Sequence, residues 1–98
     1  MHASVLTAEV KPESWDELAR LYEEVVIPLI GGESGIKAAF LLKMPGDEQA
    51  MSVGIYETID QAIASGETDG AFYQAEGKLA HTLASMPVRS ICEVLAHG

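Results

Sequence analysis

Glu76 is a carboxylate set among apolar residues at helical spacing, because Phe72, Leu79 and Leu83 fall with it on one stripe. If that stripe faces a sheet, Glu76 loses water, its pKa rises, and it gains the character of a general base or a holder of a substrate hydroxyl. The alternative is a helix rolled slightly, with Glu76 reaching solvent at the rim. No cation is placed to pair with it: Lys78 lies about 200° around the helix and Ala80 holds the i+4 position. Tyr56 and Tyr22 bring phenols to strand and helix. Each either donates to a carbonyl or oxyanion in a cleft, or packs as an aromatic whose hydroxyl finds a nearby partner. Ser52 and Gly54 share the strand face of Tyr56, where small side chains either leave room for a ligand or mark a bulge or close packing. The catalytic candidates are thus Glu76 and Tyr56. The candidate binding residues are Tyr22, Ser52, Gly54 and Phe72.

Other chemistries find no support in the residue pattern. His2, His81, His97 and Cys92 are scattered, with no metal-ligand spacing. His81 lies about 180° from Phe72 on its helix, on the wet face. No glycine-rich phosphate loop follows a strand, and Gly31-Gly32 comes after a helix. Cys92 sits mid-strand beside Glu93 with nothing to activate it as a nucleophile.

The elements that must position the candidates follow from periodicity and caps. Val5 to Val10 reads as a first strand. Ser14 and Glu17 form a capping box that opens a helix from Trp15 to about Leu29, with Trp15, Leu18, Tyr22, Val25, Val26 and Leu29 on one face. Pro28 weakens its last turn and Gly31-Gly32 ends it. Ile36 to Met44 and Met51 to Glu57 form a hairpin across Pro45-Gly46-Asp47. Thr58 and Gln61 make a second capping box, starting a helix with Ile59, Ala62 and Ile63 on one face and Gly66 as its left-handed end. Thr68 or Asp69 caps the helix that carries Glu76, and Val88 to Ala96 is the last strand.

The order β-α-β-β-α(α)-β is the split βαβ pattern of ferredoxin-like α+β domains with an antiparallel sheet. The run Ala38 to Leu42 is apolar without alternation, which suits a sheet covered on both faces. Helices cover one face only, so a second copy is expected on the other, making a dimeric α+β barrel. The 98 residues fill one domain, and 48% hydrophobic residues is high for so short a chain, which again points to a homodimer. Fifteen acidic residues against six basic ones, no two of the latter adjacent, argue against nucleic acid and anionic membranes as partners. The expected partners are a second copy and a small molecule. With no signal peptide, no run long enough to span a bilayer and a lone cysteine, the expected location is the cytoplasm.

Over nearly its whole length the chain resembles the antibiotic-biosynthesis-monooxygenase (ABM)-like dimeric α+β barrels. The resemblance rests on the element order, the strand-to-helix junction SVGIYETIDQAIAS with its Tyr56-Glu57-Thr58, and the helix opening DGAFYQAEGKL. It implies a ligand held between sheet and helices, and oxidation of a polyphenolic or quinol-type substrate without a bound cofactor, or haem degradation. The family's catalytic patterns also call for an asparagine on the first strand and a tryptophan at a later position. This chain has no asparagine, and its single tryptophan, Trp15, opens the first helix. Where the haem-degrading branch has its histidine, counted from Phe72, this chain has Glu76, a poor axial ligand. Quinol-type oxygenation and plain ligand binding on the same fold remain the two readings.

Overall fold

The computed structural model describes every residue except Asp47, Thr68 and Asp69, with the side chains of Ala71 and Phe72 also outside the description. Four strands, β1 (His2–Glu9), β2 (Ile36–Lys43), β3 (Gln49–Tyr56) and β4 (Val88–Glu93), form one antiparallel sheet in the order β2-β3-β1-β4. The first strand therefore lies inside, paired to β3 on one side and β4 on the other. β1 and β2 run parallel with β3 between them, as do β3 and β4 with β1 between them, which is the split βαβ arrangement.

Register fixes what each face carries. Ser4 pairs with Gly54, Leu6 with Ser52 and with Arg89, and Leu41 with Ser52. Strand alternation then puts Ala50, Ser52, Gly54 and Tyr56 on the helix side, with Leu6, Leu41 and Arg89. Val5, Phe40, Leu42, Met51, Val53, Ile55 and Val88 take the opposite side, which no helix among the described residues covers. There Phe40 is 49%, Leu42 46% and Val88 65% exposed, so the expected second apolar face is present.

The first helical run is continuous from Trp15 to Gly31 but not uniform. It comprises α1 (Trp15–Leu21), a π-helical turn (Tyr22–Val26) and α2 (Ile27–Gly31). The Ile27 N–H reaches back to the carbonyl of Tyr22, and the widened turn falls just before Pro28, which has no N–H to continue the ordinary ladder. An i+4 row on a regular helix drifts about 40° per step. The wide turn removes part of that drift, and Leu18, Tyr22, Val26 and Ile30 are all buried at four-residue spacing. Val25 and Leu29, expected on the buried face, are only half-buried. The expected Ser14–Glu17 capping box does not form. Pro12–Ser14 is a 3-10 turn that leaves Ser14 outside the extended conformation a cap requires, and Glu17 instead faces Arg20 at 3.7 Å and His81 at 3.2 Å.

The second box is as expected. In α3 (Ile59–Ala64) the Gln61 N–H donates to Thr58 Oγ1 at 3.2 Å, while the Thr58 N–H donates to Gln61 Oε1 at 3.1 Å. Only Ala62 of this helix is fully buried; Ile59 and Ile63 are 45% and 39% exposed, against the expected apolar face. Gly66 is not left-handed. A Cβ there would first meet the Arg89 guanidinium, the movable end of a long side chain. The last helix, α4 (Ala71–Leu79), starts from Gly70 as its extended N-cap and passes into a 3-10 turn at Ala80–Thr82. A Cβ on Gly70 would strike the carbonyls of Ala64 and Ser65. The cap expected at Thr68 or Asp69 lies outside the described residues. β4 ends at Glu93, three residues short of the expected Ala96. Among the described residues no helix is long and apolar enough to cross a membrane.

Candidate functional site

The inner face of the sheet is not evenly filled. Near the end of β3 that carries Ala50 and Ser52, an apolar cavity of about 60 Å³ lies between the sheet, the π-helical turn and α4. Leu6, Leu41, Ala50 and Ser52 supply its floor, Tyr22 and Val26 one wall, and Ala75 and Leu79 the roof. The space exists because the roof residue over Ser52 is an alanine: Ala75, 1% exposed, is the α4 residue built into the core beside Tyr22, Val26 and Ile30. The cavity mouth is shared with an outer groove of about 580 Å³ that runs past Glu76, Leu83 and Pro87 toward Met86.

The polar groups at this cavity form a short chain. Tyr22 Oη lies 3.0 Å from the carbonyl oxygen of Phe40 and 3.0 Å from Ser52 Oγ. A phenol has one proton and the carbonyl can only accept, so both contacts are met when Tyr22 donates to Phe40 and Ser52 donates to Tyr22. Burial pushes the Tyr22 pKa up, with the Ser52 bond opposing it, so the phenol keeps its proton at neutral pH.

Glu76 is at the mouth but is not desolvated. It is exposed, because α4 is rolled by about one residue from the expected stripe, so that Ala75 and not Glu76 points at the sheet. The desolvation expected of Glu76 is therefore absent, because that expectation rested on its burial. The side chain of Phe72 lies outside the described residues.

Tyr56 stands apart from this constellation. It is 0% exposed and does not line the cavity; its hydroxyl donates to Glu33 Oε1 at 2.9 Å. Burial raises its pKa, Glu33 raises it further, and the Ser65 hydroxyl and the Arg89 charge oppose the shift. Gly54, buried between Ser4 and Ala39, lines no part of the cavity either. So the fold brings Ser52, Tyr22 and Glu76 to one place and leaves Tyr56 and Gly54 in another. Sequence reasoning missed Arg89, which organises that second place. Its guanidinium donates to Ser4 Oγ at 3.1 Å, to the carbonyl of Ile63 at 2.9 Å and to the carbonyl of Ala62. An arginine amid the apolar residues of β4 was the available signal. Among the described residues no group of three metal-ligating side chains comes together.

The fold is shared with solved structures. No family model matches the chain, and no curated protein matches it. A Nitrosomonas europaea protein of unknown function, NE2512, is 26% identical, with a TM-score of 0.76 over 99% of this chain and 91% of that one. A candidate antibiotic biosynthesis monooxygenase from Caulobacter crescentus is 20% identical with a TM-score of 0.77 over 97% of this chain and 90% of that one. Another from Bordetella bronchiseptica is 14% identical, with a TM-score of 0.80 over 97% of each chain. The chain is thus an ABM-like α+β domain in fold, of ferredoxin-like topology.

Proposed function

We propose that this protein is an ABM-like monooxygenase acting on a small aromatic or quinol-type molecule held between the sheet and α4. The observation that carries this reading is the apolar cavity over Ser52 and Tyr22, opening beside the carboxylate of Glu76 into a wider groove. Small-molecule sites commonly measure about 300–1,000 Å³. The cavity alone is below that range, so the ligand seats one edge in it and extends past Glu76 into the groove. In the proposed reaction the substrate itself supplies the electrons. It gains one oxygen atom of O2 and loses two hydrogens, which leave with the second oxygen atom as water. Glu76 takes the proton whose removal makes the ring electron-rich enough to react with O2, and Ser52 holds the hydroxyl. Oxygen uptake with a panel of quinols and anthrones tests this. Turnover that Glu76→Gln abolishes, with binding retained, supports it.

A second reading, a binding module without catalysis, is favoured by two observations: Glu76 is exposed, and the Tyr56 hydroxyl is engaged by Glu33. Saturable binding with no oxygen uptake by any of the panel would select it. In either case we propose that the bare sheet face carrying Phe40, Leu42 and Val88 is covered by a second copy. Sedimentation should give twice the chain mass at micromolar concentration, and Leu42→Lys should return it to the monomer.

A further inference from the structure

We infer that Ser52 sets the chemical polarity of the cavity, accepting a hydrogen bond from a ligand hydroxyl and so selecting hydroxyl-bearing rings over rings that carry only an ether or carbonyl oxygen. This rests on the proposed cavity site but not on turnover. Tyr22 Oη has its proton on the Phe40 carbonyl, and the Ser52 proton is on Tyr22 Oη. The hydroxyls of Tyr22 and Ser52 therefore have their protons committed to protein acceptors, and what remains on Ser52 Oγ is lone pairs. Burial keeps Tyr22 protonated, which holds this allocation in place at neutral pH. The rest of the wall is nearly all apolar apart from the exposed Glu76, since Thr7 pairs with Met51 and Val88 on the other sheet face, so a ligand oxygen seated at Ser52 meets an acceptor and no side-chain donor. A ligand that brings a proton completes the chain, ligand to Ser52 to Tyr22 to Phe40. A ligand that brings only an acceptor sets two oxygens against each other.

The consequence for an oxidative reaction is directional. A phenolic substrate is held by its proton, whereas a product whose hydroxyl has become a carbonyl loses that bond and is released more readily.

The test uses phenol, anisole and toluene as probes, none of which needs to react. Binding is read by NMR titration of the ring signals against the whole protein. Phenol should bind roughly three- to tenfold more tightly than anisole, as one hydrogen bond of ordinary strength requires. Ser52→Ala should bring that ratio close to one. Tyr22→Phe frees the Ser52 proton, so anisole should gain affinity while the ring-shaped wall is kept. Equal binding of phenol and anisole to the unaltered protein, or an unchanged ratio in Ser52→Ala, overturns the inference while leaving the cavity as a ligand site. Failure of all three rings to bind overturns the cavity reading as well.

Discussion

The two ends of the inner sheet face use the same strand to opposite effect. At one end, Tyr56 of β3 is fully buried with its hydroxyl on Glu33, and the Arg89 guanidinium holds the last carbonyls of α3. At the other end, Ser52 and Ala50 face Ala75 of α4, three small side chains that leave a cavity. α3 buries little of its apolar surface, with Ile59 and Ile63 left exposed, so its hold on the sheet comes from Ala62 and from Arg89 reaching its last carbonyls. α4 is seated by Ala75 and Leu79 in the apolar core. The difference separates a fully buried tyrosine from a cavity-lining serine, proposed as the ligand contact, only four residues away on the same strand.

Replacing Arg89 by Ala breaks the closed end and has the largest expected effect. It removes the donor from the Ala62 and Ile63 carbonyls and from Ser4, which should cost about 2 kcal/mol in urea unfolding, while phenol binding at the other end stays unchanged. A loss of phenol binding of the same order would show that the two ends are not independent.

The next effect appears at alkaline pH. Tyr22 and Tyr56 both have pKa values raised above 10.0 by burial, so above about pH 10 the unfolded chain releases protons that the folded chain retains. Stability is therefore intact below the unfolded tyrosine pKa and falls as pH rises beyond it, by about 1.4 kcal/mol per pH unit for each tyrosine. Tyr56→Phe should make the decline shallower and cost about 1 kcal/mol at neutral pH through the lost bond to Glu33. A pH slope identical in Tyr56→Phe would show that the hydroxyl ionises freely and that this end is not closed.

Ala75→Val sharpens the open end. The added methyl groups enter existing space, so stability should change by no more than about 1 kcal/mol, while phenol binding is lost. A larger loss of stability with binding retained would mean that the roof lies elsewhere. Smallest of all is the effect of Glu76→Gln on stability, within about 0.5 kcal/mol, because the side chain is exposed. Its effect on turnover, in contrast, decides between the catalytic and the binding reading.

Local chemistry determined much of this from the sequence alone. The Thr58–Gln61 box, the hairpin of β2 and β3 and the element order all follow from residues within a few positions of one another. So does the two-faced apolar character of β2, visible in Ala38 to Leu42 before any partner strand is known. The placement of Ser52 and Tyr56 on one strand face follows from the two-residue period of a strand, which leaves no freedom. Helix rotation has no such constraint. Whether Glu76 or Ala75 faces the sheet turns on about 100°, and that was decided by Gly70 seating against Ala64 and Ser65 and by the alanine fitting where a carboxylate would have lost its water. The π-helical turn that aligns Tyr22 with Val26 and Ile30 likewise belongs to the packed helix against its sheet. The Arg89 cluster joins residues 4, 62, 63 and 65 to 89, and the Ser52–Tyr22 contact joins two residues thirty positions apart. Contacts of that range leave no period in the sequence, because they arise only when register and crossover have already brought the strands and helices together.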